Sequence, residues 1–317
     1  MKKLLIIATG FVIFGLLIFL LLSLFIGFDF TRLGTANYET NVHEPKEPFS
    51  DLNLEIETAD VTILPSEDGV TRIICTEESL AKHSVSVADN TLTVKLVNEK
   101  KWSDYIFPSF GKTEITVYLA GVDCGALNVK ASTADVTVSQ ELSFTCAKIN
   151  LSTGDVSFSA AVKEELSITT STGDITVGSA GIGSLKASVS TGKINISNLN
   201  TEGVIDLETS TGDIRLSSVR AGSLNAEGDT SDVHLTDVVI SAKITIETST
   251  GDVRLDAADA AELSITTDTG HVKGTLLTEK IFFTTTDTGK VDVPRCTAGG
   301  VCEITTDTGD IIISLAE

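Results

Sequence analysis

Residues 207–218 read LETSTGDIRLSS and residues 246–257 read IETSTGDVRLDA. A weaker echo, AEGDTSDVHLTD, lies between them at 226–237. Around each S-T-G-D core, apolar and polar residues alternate, which is the pattern of a strand, a tight corner and a second strand. Aligned on the glycine position, the element recurs at Ala134, Gly154, Gly173, Gly192, Gly212, Ser231, Gly251, Gly270, Gly289 and Gly309, always 19 or 20 residues apart. Thr precedes that position every time, from Thr133 to Thr308, and Val or Ile follows it two residues later, from Val136 to Ile311.

A unit of that length is too short for a crossover helix and cannot bury a core alone. Stacked on its neighbours it buries a continuous one. The expected fold is therefore all-β: a single-stranded parallel β-solenoid, right-handed by the crossover rule, with coils stacked in sequence order. Residues 132–317 form the regular repeats. LNLEIETADVTIL at 52–64 resembles LNVKASTADVTV at 127–138, so residues 51–131 read as irregular N-terminal coils or a cap on the same stack.

Ahead of the repeats, Leu4–Phe28 is an uninterrupted run without a charge, preceded by Lys2 and Lys3 and followed by Asp29. It is longer than a secretory h-region and no A-x-A site closes it. It reads as one transmembrane helix within residues 1–28, with the N-terminus cytoplasmic and the rest outside a cell membrane. Residues 29–50, with Pro45 and Pro48, read as a stalk or linker. The formal net charge of −21 makes nucleic acid a poor partner. Cationic peptides, glycans, envelope proteins and metal ions stay open. Cys75, Cys124, Cys146, Cys296 and Cys302 contain no C-x-x-C and are odd in number, which favours buried free thiols over a disulfide framework, with Cys124–Cys146 as the alternative bridge.

The recurring S-T-G-D-[VI], the passage TEITVYLAG into LNVKASTADVTV, and the preceding apolar run resemble the bacterial β-strand-repeat family of adhesin-like envelope proteins that includes the G component of the Lia envelope-stress operon. The resemblance covers about residues 51–317. It implies a β-helix on the cell envelope, near envelope-stress functions, and supplies no catalytic residues.

The repeat itself offers candidate chemistry. The Asp after the glycine could mark a calcium ladder, but Lys193, His271 and Lys290 share its column, and one carboxylate per coil falls short of calcium's six to eight oxygens. It reads instead as a replaceable, solvent-facing corner residue. Two before the glycine, Ser and Asp interchange, as in a turn where either side chain accepts a backbone N–H two residues on. Thr172, Gly173, Thr211, Gly212, Thr250 and Gly251 are thus structural turn formers. A carbohydrate-active β-helix enzyme would need long loops and an acid pair, and the uniform spacing from 134 to 309 leaves no room for such loops. No catalytic residue and no cofactor is expected. The stretch EKKWSDYIFPSFGK, 99–112, carries Trp102, Tyr105, Phe107 and Phe110 between lysines. These aromatics either contact a partner or fold over the open end as a cap, and the cap is the preferred reading. Nothing caps the last coil after Leu315, so a partner or a second copy could stack end to end there. The function expected is a non-catalytic interaction surface for adhesion or envelope-stress sensing, with a carbohydrate-active enzyme or a purely structural spacer as alternatives.

Overall fold

The computed structural model describes residues 2–25, 37–105, 111–178 and 181–316. A helix, Lys2–Phe25, precedes a domain built almost wholly of strands. Side chains in this helix are described from Thr9 onward, and among the described residues no helix is long and apolar enough to cross a membrane. Residues 26–28 of the expected span lie outside the described residues.

The domain is a parallel β-solenoid. Like residues of successive coils pair in register: Ile194, Ile214, Val233, Val253, Val272 and Ile311 form one ladder, all buried. Burial alternates residue by residue, as in Val253–Thr269, so the period-2 pattern of the sequence becomes a continuous apolar lumen. The two N-terminal segments that echo each other are stacked directly: Leu52 faces Leu127, Leu54 faces Val129, and Val61 faces Val136. Their resemblance is that of adjacent coils.

At each S-T-G-D corner the backbone bonds run between coils. The N–H at the glycine position donates to the preceding Thr's carbonyl in the next coil, as in Gly192 to Thr211 and Ser231 to Thr250, each at 2.9 Å. The expected Ser or Asp turn bond to that N–H is not made; the neighbouring coil supplies the acceptor instead. Where the corner residue adopts positive φ, glycine is required by proximity and by conformation, whereas Ala134 and Ser231 fill the same position without it. Gly212 has φ of 134° and a Cβ on it would lie 2.0 Å from the Gly192 oxygen; Gly251 has φ of 152° and would meet the Ser231 oxygen at 2.0 Å. Inside the corner, buried Thr hydroxyls donate to the same carbonyls: Thr248 to Ser231 at 3.2 Å, Thr267 to Gly251 at 3.3 Å and Thr306 to Gly270 at 3.1 Å. A second corner lies six residues further on, where Asn198, Ser218, Asp237 and Ala257 adopt φ of 53–58°. No glycine marks it, and its residues vary freely because the bend leaves their side chains room outside.

Coils do not stack in sequence order at the ends. Strand Leu263 to Thr269 pairs with Cys302 to Thr308, and only then does the strand Lys280–Thr288 pair with Gly300–Thr308 from the other side. The last coil in sequence is therefore the penultimate coil in space, and the expected free edge after Leu315 belongs to Lys280–Thr288. Its apolar Phe283 is 59% exposed. The chain is pinned where it leaps outward: the buried Lys280 ammonium lies 2.6 Å from Asp259. The opposite end mirrors this. Asp51–Glu55 and Asp60–Pro65 lie inside, while the later Thr91–Asn98 and Glu114–Leu119 stack beyond them. Antiparallel strands Arg72–Glu78 and Ala81–Ala88 close that end, and Tyr38–His43, within the stretch expected to be linker, adds to Arg72–Glu78.

Replacing Gly212 by Ala should lower stability by at least about 2 kcal/mol, because both the φ and the 2.0 Å approach must be relieved. Ser218→Gly, at the corner with φ of 54°, should instead be neutral or stabilising by up to about 1 kcal/mol. Urea unfolding of the two variants beside the parent checks the contrast.

Candidate functional site

The Asp that follows each corner glycine has a definite task. Its Oδ1 accepts the backbone N–H of the same column in the next coil: Asp60 from Asp135 at 3.0 Å, Asp135 from Asp155 at 2.9 Å, Asp155 from Asp174 at 2.7 Å, and Asp174 from Lys193 at 2.8 Å. The series resumes with Asp232, Asp252 and His271, and ends with Asp310 accepting from Lys290. His271 takes part through Nδ1, an acceptor when that nitrogen is unprotonated. Lys193 has no acceptor, and the Asp213 carboxylate beyond it holds Arg215 at 2.7 Å instead. Most of the column is thus no set of idle surface charges. Asp60, Asp135, Asp155, Asp174, Asp232, Asp252 and Asp310 each tie one coil to the next. Asp310 is held below the ordinary 3.8, first by the Lys290 N–H and then by the charges of Lys273 and Lys290.

Outside the ladder, acidity concentrates on the strand that leads into the corner. Glu208, Glu227 and Glu247 stand in register on three successive coils, about 4.8 Å apart. With Asp229 and Asp268 they line an open groove over Gly228. No Lys or Arg among the described residues is ion-paired with these five carboxylates, although nearby acids are paired: Asp206 with Lys186 at 2.9 Å and Asp237 with Arg220 at 2.7 Å. Like charges directly opposite on a sheet repel, so this column is a place where an incoming cation gains more than one contact. Gly228 and Ser231 depart together from the repeat. Ser231 occupies the space that an inward Thr fills in other coils: a Cβ on Gly228 would lie 1.8 Å from its Oγ.

The sequence-predicted contact loop is less gathered. Trp102 is 81% exposed, so the expected folding of aromatics over the end is not seen at this residue. Tyr105 closes a short 3-10 turn, Trp102–Tyr105, and its side chain is not described; Phe107 and Phe110 lie outside the described residues. The feet of the loop are fixed by Lys100 on Glu78 and by Lys112 on Asp60 and Glu114. The turn formers Thr172, Thr211 and Thr250 are exposed, and their carbonyls accept from the corner N–H of the coil before; Gly173, Gly212 and Gly251 sit at the close approaches described above.

All five cysteines are free thiols. Burial pushes Cys302 up to about 12 and Cys124 up to about 11, so neither is a ready nucleophile. Among the described residues one group combines ligand types for a metal: Cys75, Glu77 and His83, all buried in the antiparallel cap, with donor atoms within 4.8 Å of one another. Sequence reading passed over it, although Cys75 and Glu77 sit two apart on a strand and so share its inward face.

A family model described as Toastrack DUF4097 matches residues 49–313. No curated protein sequence matches the chain. Among solved structures, a candidate adhesin from Parabacteroides distasonis shares 13% identity at a TM-score of 0.47, covering 88% of this chain and 98% of that one. A second candidate adhesin, from Parabacteroides merdae, shares 13% at 0.40, covering 90% and 98%. A candidate lipid-binding protein from Parabacteroides distasonis shares 14% at 0.38, covering 89% and 98%. These are distant likenesses, and family membership rests on the match over residues 49–313.

Removing a rung should be measurable. Asp252→Ala leaves the His271 N–H without its 2.7 Å acceptor and should cost about 1 kcal/mol, while Asp252→Asn, which keeps an oxygen acceptor, should cost less. Asp310, Asp237 and Glu55 are all held below their ordinary values, so their stabilisation is complete above those values and is lost as pH falls through the depressed ones. Thermal midpoints should therefore decline below about pH 4 rather than near neutrality.

Proposed function

The chain belongs to the Toastrack DUF4097 family, and we propose that it is a non-catalytic, membrane-anchored envelope protein whose solenoid presents an acidic surface to cationic partners. The observation that carries this reading is the in-register column Glu208, Glu227 and Glu247, extended by Asp229 and Asp268, none of them ion-paired with a Lys or Arg among the described residues. A rigid stack fixes these carboxylates before any partner arrives, so binding does not bear the entropy of ordering them. A polybasic peptide, the chemistry of many membrane-active antimicrobials, meets that spacing with successive Lys or Arg side chains. Engagement of such peptides would serve envelope-stress sensing; a basic patch on a neighbouring envelope protein would serve adhesion.

The anchor in this reading is the uncharged run Leu4–Phe28, which continues past the described helix. Apolar side chains from Phe11 to Leu21 project from it without protein cover. The Lys2–Lys3 pair precedes the run and Asp29 follows it, a charge arrangement that supports an N-terminus in the cytoplasm and a solenoid outside. A second copy would meet the solenoid end to end at the edge of Lys280–Thr288, paired on one side only among the described residues.

Titration of the detergent-solubilised chain with a polybasic helical peptide tests the reading. Binding should weaken steeply as salt rises, and the triple variant Glu208→Gln, Glu227→Gln, Glu247→Gln should lose at least about tenfold in affinity, or about 1.4 kcal/mol. Binding that ignores salt, or survives the triple change intact, would overturn it. Loss on Trp102→Ser instead would move the contact to the 99–112 loop, and no binding at all would leave the solenoid a spacer.

A further inference from the structure

The apolar lumen ends abruptly. Above Leu92, Val94, Ile115 and Val117, all buried, the inward positions of Arg72–Glu78 are Ile73, Cys75 and Glu77, and Ala81–Ala88 contributes His83. A thiol, a carboxylate and an imidazole thus replace aliphatic side chains where the stack closes. The Cys75 residue is 0% exposed, Glu77 1% and His83 5%.

The group is held in place. Glu77 Oε1 accepts from Asn41 Nδ2 at 2.8 Å, and its Oε2 takes the His83 backbone N–H at 2.5 Å and meets His83 Nδ1 at 2.7 Å. His83 Nε2 is buried and has no partner. A bare carboxylate–imidazolium pair would account for the Nδ1 contact. It gives no reason, however, for Cys75 to stand beside the pair.

We propose that Cys75, Glu77 and His83 form a binding site for a divalent transition metal with the preferences of zinc. Sulfur, nitrogen and oxygen from three side chains are a set that zinc accepts, with a fourth position for water. Ligands bound at about 2.0–2.3 Å in a tetrahedron lie about 3.3–3.8 Å from one another. With Nδ1 as the His83 ligand, the donor atoms already lie within 4.8 Å of one another, and the 2.7 Å Nδ1–Oε2 contact has only to open by about 1 Å for the ion to enter. Charge balances as well: one thiolate, one carboxylate and a dication sum to zero, which an apolar surrounding tolerates. The metal displaces the Cys75 thiol proton to solvent on binding, so affinity rises with pH. Enclosed at the end of the stack, the ion fastens the closing strands and is a structural site. This inference is independent of the acidic face.

The test uses the full chain in detergent with Co²⁺ and Zn²⁺ as probes. One Co²⁺ per chain should bind, with a thiolate-to-metal charge-transfer band in the near ultraviolet and intense tetrahedral ligand-field bands. Zn²⁺ should displace it and raise the thermal midpoint by several degrees. Cys75→Ser should abolish the charge-transfer band, and Glu77→Gln and His83→Gln should each weaken binding at least about tenfold. A chain with Cys124, Cys146 and Cys296 changed to Ser should keep the full signature, which separates this site from the more exposed thiols. If Cys75→Ser fails to fold, the Glu77→Gln affinity and the three-cysteine variant decide. Absence of the band in the parent chain, or its loss with those three cysteines rather than with Cys75, would overturn the proposal.

Discussion

Everything in this molecule depends on how closely one coil's corner lies against the next. A missing Cβ at Gly212 or Gly251 lets a carbonyl oxygen approach to where a methyl would otherwise sit. That approach aligns the corner N–H with the neighbouring Thr carbonyl and carries the sheet's hydrogen bonding around the bend without a gap. The apolar lumen supplies most of the driving force, but it does not set register, because Val, Ile and Leu exchange freely along each ladder. The corners set register. Backbone bonds, the Asp rungs outside and the Thr hydroxyls inside all act on the same few residues, so a slip of one residue would break three kinds of bond at once.

The same economy explains the ends. A solenoid that stops presents open backbone edges and an open lumen. Here the chain folds back at both ends, so the terminal coil is not the terminal segment. At the C-terminal side the last strand is sandwiched, and the outward leap before it is fixed by a buried Lys280–Asp259 pair. A buried pair is an expensive way to stabilise, but it is well suited to forbidding the alternative in which residues 280–292 stack next in line. At the N-terminal side antiparallel strands do the closing, and polar side chains take the place of the lumen's aliphatics.

How far the sequence discloses this follows from what kind of contact is involved. Corners that need glycine, and faces that need apolar residues, recur every 19 or 20 residues and are legible without coordinates. The second corner at Asn198, Ser218, Asp237 and Ala257 is not, since its conformation is met by unlike residues. The Asp column is legible as a column but not as a ladder, because its partner is a backbone N–H in another coil. Stacking order at the C-terminal end is invisible for a stronger reason. Corners Gly289 and Gly309 carry almost the same neighbours, so either could follow Gly270, and only the buried pair and the turn lengths distinguish them. The Cys75, Glu77 and His83 cluster hides because two of its members are ordinary strand residues until a third strand folds over them.

The weakest copy of the repeat, AEGDTSDVHLTD, turns out to be informative for that weakness. It exchanges the inward Thr for Gly228 and the corner glycine for Ser231, and the serine fills the volume the threonine leaves, so the lumen stays closed. A drifting repeat would lose one of these without gaining the other. The paired change keeps the stack intact beneath Glu208, Glu227 and Glu247, because Ser231 fills the inward volume that Gly228 leaves. Regularity in this fold serves stability. The coil that departs from it, yet stays packed, is the coil over which acids without an ion-pair partner gather.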